Sequence, residues 1–180
     1  MLFLPENTRS RYVVFDLETT GLSAKGGDRI IEIGAVAVTG KEVVEEFHSF
    51  INVRHPIHPM AQMVNGITAE MLRGKPKARE VIPAFRHFIK DSILIAHNAR
   101  FDMKFLQSEF KRLSFDIKNP CFCTMKIART LYPELPNFKL ETVYWHLCST
   151  RPLKLHRALD DARATAKLWI KFEKKVMNWI

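Results

Sequence analysis

At 180 residues, 47% hydrophobic and 26% charged, with only 7 Gly and 9 Pro, the chain suits one domain around one core and is neither disordered nor fibrous. Its 28 Lys and Arg against 19 Asp and Glu leave a formal charge of +9, which favours a polyanionic partner, nucleic acid ahead of an anionic membrane surface. No run reaches the ~18 apolar residues of a membrane span.

Residues 11–17 (RYVVFDL) and 30–38 (IIEIGAVAV) are rich in β-branched residues and separated by a Gly-rich turn, so both read as strands. A third strand is expected at 43–53, and three strands with no helix between them predict an antiparallel meander. Residues 59–73 read as short helical pieces broken at Asn65 and Gly66. At 80–90, Val81, Phe85, Phe88 and Ile89 share one helical face, with Pro83 placed in the first turn. A short buried strand at 92–96 leads to a helix marked by Phe101, Phe105, Leu106, Phe110 and Leu113. Residues 121–131 and 139–148 read as helical. A last helix over 158–178 carries Ala162, Ala166, Trp169, Phe172 and Val176 inward. The order predicts an α/β or α+β domain, 1–180, with a mixed sheet. Cys121, Cys123 and Cys148 form no zinc spacing, and an odd count fits a reducing compartment. The opening MLFLPENTRSRY is not expected to act as a signal peptide, so the expected location is cytoplasmic, with no membrane partner.

Three segments carry chemistry. Asp16 and Glu18 stand at i and i+2 in an otherwise apolar strand, so both carboxylates point to one face. Two like charges on a mostly buried strand are costly unless something compensates them. A hard divalent cation with oxygen ligands would do so; a solvent-facing strand end or an Arg partner would too. Asp102, in AHNARFD, falls where a strand ends and a helix begins, the edge at which α/β sheets gather ligands, although a first-turn Asp also suits the helix dipole. In HRALDDA, His156 precedes Asp161 by five positions at the entrance to the last helix. A histidine exchanges protons near neutral pH and can serve as a base, whereas a capping Asp beside a loop His is the plain alternative. Together, four separated carboxylates and one His are the parts of a two-metal phosphodiesterase.

The motifs FDLETTGL, AHNARFD and HRALDDA, with RIIEIGAV and MVNGITAEML between them, resemble the DEDDh (DnaQ-like) 3′–5′ exonucleases, the family of the proofreading epsilon subunit of bacterial DNA polymerase III. The resemblance spans nearly the whole chain, and the His five before the last Asp marks the His subclass. It implies a ribonuclease H-like fold with a five-stranded mixed sheet flanked by helices. It also implies Asp16, Glu18, Asp102 and Asp161 as ligands of two Mg²⁺ (or Mn²⁺), Asp16 bridging both, and His156 as the base that deprotonates the attacking water. The reaction so implied is in-line hydrolysis of the last phosphodiester, releasing a nucleoside 5′-monophosphate.

For substrate, Gly21 permits a turn that brings backbone amides to the strand end. By resemblance, Leu22 wedges against the terminal bases and backbone near Thr19 and Thr20 meets the 3′-hydroxyl; core packing is the other reading of Leu22. Asn98 is a further substrate candidate, while His97 reads as structural. Arg151, Lys154 and Arg157, in the loop that runs into the last helix, are the phosphate candidates; backbone contacts of that kind give affinity without sequence readout. Bases also cluster in RGKPKAR, and those along the last helix read as a solvated face. Asn65 stands where relatives often carry His, a departure expected to lie outside the metal site. The expected substrate is single-stranded or frayed DNA, with a DNA polymerase as the candidate protein partner and stand-alone action as the other reading. Exoribonuclease action and a non-catalytic nucleic-acid-binding module are the alternatives.

Overall fold

The structure, a computed structural model, describes residues 10–150 and 156–177. The chain opens as the expected meander of β1 (Arg11–Thr19), β2 (Ile30–Thr39) and β3 (Glu42–Phe50), each antiparallel to its neighbour. Two short helices follow, α1 (Pro59–Asn65) and α2 (Ala69–Leu72), with Gly66 in the left-handed region (φ 67°) ending the first. Then come α3 (Ala78–Ile89), β4 (Ile93–Ala96), α4 (Ala99–Arg112), β5 (Cys121–Cys123), α5 (Thr124–Leu131), α6 (Leu140–Cys148) and α7 (Ala158–Met177). The sheet runs β3-β2-β1-β4-β5, with β4 parallel to β1 and β5 parallel to β4. The sheet is therefore mixed and five-stranded. Among the described residues, no helix is long and apolar enough to cross a membrane.

Strand alternation sorts the side chains into two layers. Val13, Phe15 and Leu17 of β1 and Ile33, Ala35 and Ala37 of β2 pack against α3 and α4, through Phe85, Phe105 and Phe110 among others. Tyr12, Val14, Val36 and Val38 face the opposite layer, built by α5, α6 and α7 around Trp169 and Phe172. With both faces covered, β2 is buried from Ile30 to Val38, which is why its sequence reads as a near-continuous apolar run.

Two expectations shift. Residues 121–123 form a strand, not the start of a helix; Phe122 then stacks on Trp169 with ring centroids 5.8 Å apart. Helix α3 starts at Ala78, so Pro83 lies inside it and not in its first turn, leaving the Arg79 carbonyl without its usual helical donor. One glycine sets the spacing of the fold: a Cβ on Gly34 would fall on the backbone of Ala158 and Leu159. Only the absence of a side chain there lets the first turn of α7 rest against β2.

Candidate active site

Strand parity decides which carboxylates meet. Asp16 and Glu18 follow Tyr12 and Val14 on the α7 face of β1, opposite Gly34 and Glu32 of β2. Because Gly34 admits the first turn of α7, Asp161 in that helix reaches the same spot. One oxygen from each of Asp16, Glu18 and Asp161 lies within 4.8 Å of the others. The register of β1 on β2 shifts between Glu18 and Thr19, the kind of irregularity that re-aims side chains at a strand end. Asp102, 3% exposed in the first turn of α4, comes from beyond the end of β4 and accepts a backbone hydrogen bond from Leu17.

This gathering is electrostatically unfavourable on its own. Burial, then the charges of Asp102, Asp161, Glu18 and Glu32, hold the Asp16 carboxyl well above the ordinary carboxylate range. Burial is also the first cause at Glu18, raised to about 7, at Asp102, raised to about 8, and at Asp161, raised to about 6. A set of carboxylate oxygens of this kind suits a hard divalent cation. The fit has a specific mark: Asp161 Oδ2 accepts from the His156 amide at 3.1 Å, while its Oδ1 is buried with no hydrogen-bond partner. His156 itself is exposed and held in the left-handed region (φ 67°), and the hydrogen bond from its amide lowers the pKa of Asp161 against the rise from burial.

Glu32 is the residue that sequence reasoning passed over. Fully buried, it accepts from Arg157 Nε at 3.2 Å and Nη2 at 2.9 Å and from the Ala158 amide at 3.4 Å, and it meets His48 Nε2 at 2.6 Å. Arg157 also lies 5.0 Å over the Phe50 ring. Its guanidinium thus clamps the start of α7 to β2, a structural role beside the phosphate contact expected of it. The signal was present in IIEIGAV, a lone acid inside an apolar strand. Arg151 and Lys154 lie outside the described residues.

In the 19–22 loop, Thr19 Oγ1 donates to the Gly21 carbonyl at 2.6 Å, and Thr20 is fully buried, its hydroxyl on Asp28 at 2.9 Å. The Thr20 amide donates to the Arg29 carbonyl at 2.9 Å and its carbonyl accepts from the His58 amide at 2.8 Å. Thr20 therefore braces the loop from inside. A Cβ on Gly21 would stand 2.5 Å from both Asp28 carboxylate oxygens, so the glycine is required by close approach. Leu22 is 85% exposed, which removes the core-packing reading. It overhangs a cavity of about 590 Å³ whose wall includes Glu18, Met60, Val64, Asn65 and Phe101.

Asn65 corrects the expectation that it lies outside the metal site. Its amide hydrogen-bonds the Glu18 carboxyl, lowering that group's pKa against the rise from burial, and reaches the Thr19 carbonyl at 3.4 Å. His97 is structural as expected: Nδ1 meets Thr124 Oγ1 at 2.9 Å and Nε2 meets the Phe138 carbonyl at 2.8 Å. Asn98 is exposed, in the left-handed region (φ 66°) ahead of α4, and caps no helix amide with its side chain.

A family model described as Exonuclease matches residues 13–169. The DNA polymerase III PolC-type of Caldanaerobacter subterraneus subsp. tengcongensis is 41% identical over 167 residues, covering 93% of this chain. The PolC-type enzyme of Bacillus subtilis is 45% identical over 168 residues, covering 91%. The chain spans only 12% and 11% of those two relatives' lengths. Among solved structures, exonuclease X in complex with 5′ overhanging duplex DNA matches with a TM-score of 0.75 and 31% identity, covering 91% of this chain and 92% of that one. E. coli exonuclease I in complex with a dT13 oligonucleotide matches with a TM-score of 0.80 and 20% identity over 94% of this chain and 43% of that one, a likeness of fold. The architecture is the ribonuclease H-like one that the sequence motifs imply.

Proposed function

The chain belongs to the exonuclease family, and we propose that it is a metal-dependent 3′–5′ exonuclease releasing nucleoside 5′-monophosphates from single-stranded or frayed DNA ends. The observation that carries this reading is the convergence of half-buried Asp16 and Glu18 on buried Asp161, with one Asp161 oxygen left without a donor. In this reading Asp16, Glu18, Asp102 and Asp161 hold two divalent cations, Mg²⁺ or Mn²⁺, with Asp16 in the field of the other three. Bound there, the cations would supply Lewis-acid activation of water and offset charge on the leaving 3′-oxygen.

The chain's own groups do the rest. His156, tied to Asp161 through its amide and open to solvent, takes the proton of the attacking water. Leu22 and Phe101, with Met60 and Val64, offer an apolar seat beside Glu18 for terminal bases. The braced backbone around Thr19 and Gly21, fixed by Asp28, lines the same seat and meets the 3′ end. Clamping of α7 by Glu32 and Arg157 keeps Asp161 and His156 in register with β1. DNA is favoured as substrate because the relatives are DNA polymerases and the solved neighbour at 31% identity is a complex with DNA. The same relatives make proofreading beside a DNA polymerase the favoured setting for the whole chain, acting as one exonuclease domain.

The test is a time course on 5′-labelled single-stranded, mismatched-duplex and matched RNA oligonucleotides. Stepwise shortening from the 3′ end is expected with Mg²⁺ or Mn²⁺, fastest on DNA, and none in EDTA. Asp16→Ala is expected to abolish it and His156→Ala to slow it by roughly 10²–10⁴. Full activity in Asp16→Ala, or binding without any hydrolysis, would overturn the reading; faster cutting of RNA would overturn its DNA part.

A further inference from the structure

A second groove opens beside the catalytic cavity, and its chemistry is different. It has a volume of about 880 Å³ and carries Lys25, Arg100, Lys104 and Lys111 on its walls, with no Asp or Glu among its lining residues. Three of the four bases rise from one face of α4, at positions 100, 104 and 111, and the fourth comes from the loop between β1 and β2. All four are exposed. Elsewhere the Arg side chains at 11, 29, 73, 157 and 163 sit against carboxylates. These four make no ion pair among the described residues.

The helix itself is sorted. Its acids turn inward: Asp102 is 3% exposed, and Glu109, 2% exposed, is held by Arg29. Three of its four bases, Arg100, Lys104 and Lys111, line the groove. The groove also adjoins the apolar cavity, because Leu22, Ser23 and Phe101 line both. An apolar seat beside the carboxylates thus gives way, at the exposed Leu22, to a concave cationic channel. Bases of a strand suit the first and phosphates suit the second.

We propose that this groove along α4 is the track for the phosphodiester backbone of the scissile strand upstream of its 3′ end. The proposal rests on the exonuclease reading. From Asn98 to Lys111 the helix advances about 20 Å at about 1.5 Å per residue, enough for roughly six phosphates of a strand stacked at about 3.4 Å per nucleotide. A strand short enough to stay within the apolar cavity ends before the groove, and longer ones enter it.

The test pairs binding with a minimal reaction. Lys104→Gln/Lys111→Gln and the wild type are compared by fluorescence anisotropy on 5′-labelled dT oligonucleotides of 2, 4, 8 and 12 nucleotides, across 50–200 mM salt. Hydrolysis of the p-nitrophenyl ester of thymidine 5′-monophosphate with Mn²⁺, which needs only the catalytic cavity, is measured in parallel. The double variant is expected to hydrolyse the ester like the wild type and to bind the dinucleotide unchanged. It is expected to bind the 12-mer more weakly, with the slope of log K against log salt reduced by about 1.4, or about 0.7 for each lost phosphate contact. Wild-type affinity and slope on the 12-mer would overturn the track. An equal loss of affinity at every length, the dinucleotide included, would overturn the assignment to the strand upstream of its 3′ end. Failure of the wild type to hydrolyse ester and oligonucleotides alike would strike the exonuclease reading instead, while the length dependence of binding would still decide the track.

Discussion

Replacing Glu18 by Gln is expected to stabilise the metal-free protein, and only at neutral to alkaline pH. Burial, and then the fields of Asp161 and Glu32, raise the Glu18 carboxyl from the ordinary 4.5 to about 7. Between those two pH values the folded state holds a proton that the unfolded state has released, so stability falls as pH rises. The penalty is absent below about pH 4.5 and fully developed above about pH 7. At about 1.4 kcal/mol per pH unit, that interval corresponds to about 3 kcal/mol. Gln keeps the shape, removes the titration, and leaves the Asn65 contact available. For a chain of this size, 3 kcal/mol is a rise of roughly 6–12 °C in Tm. The assay is thermal unfolding of both proteins in EDTA at pH 5 and pH 8, repeated with saturating Mn²⁺. The variant should melt higher at pH 8, match the wild type closely at pH 5, and lose most of the stabilisation that Mn²⁺ gives the wild type. A variant no more stable than the wild type at pH 8 without metal would refute the account of Glu18 as a compressed, uncompensated charge.

Two further outcomes follow from contacts around the same cluster. Asn65→Ala removes the amide that hydrogen-bonds Glu18 and should weaken Mn²⁺ binding by about 10–100-fold in calorimetric titration; unchanged affinity would show that Glu18 needs no such support. Gly34→Ala places a methyl on the Ala158 and Leu159 backbone, forcing α7 away from β2 at a cost of at least about 3 kcal/mol, read as a Tm lowered by roughly 6–12 °C or more. A wild-type melting curve would mean that α7 does not lie where the structure puts it.

The elements that were legible in the sequence are those with enough length to show a period. Residues 11–17 and 30–38, the 101–113 helix and the last helix announce themselves by alternation or by helical spacing, and the structure places them accordingly. Cys121–Cys123 spans three residues and runs straight into α5, so no alternation can register and the segment reads as the start of a helix. The two extra residues at the front of α3 escaped for another reason: Ala78 and Arg79 carry no apolar periodicity, and the first turn is held by Glu80 Oε2 accepting from the Lys77 amide at 2.9 Å. Asp16 and Glu18 were legible as a pair because two acids in an apolar strand are an anomaly at any register.

Partnerships between distant residues are a different matter, and Arg157 shows why. Its neighbours in sequence are a histidine and the start of a helix, which made it a natural phosphate contact. Its partner Glu32 lies 125 positions away, and their meeting depends on three things that no local pattern encodes. The β1–β2 register must set Glu32 opposite Glu18, Gly34 must admit α7 against β2, and His156 must turn the chain with a positive φ. The groove along α4 escapes sequence reading on the same grounds, since Lys25 and the three helix bases converge only after the sheet is formed. Net charge of +9 suggested a polyanion without saying where it lies. In the proposed track the fold supplies the place by separating the signs: Asp102, Asp161 and Glu109 are buried, while Arg100, Lys104 and Lys111 of α4, in no ion pair among the described residues, line the groove.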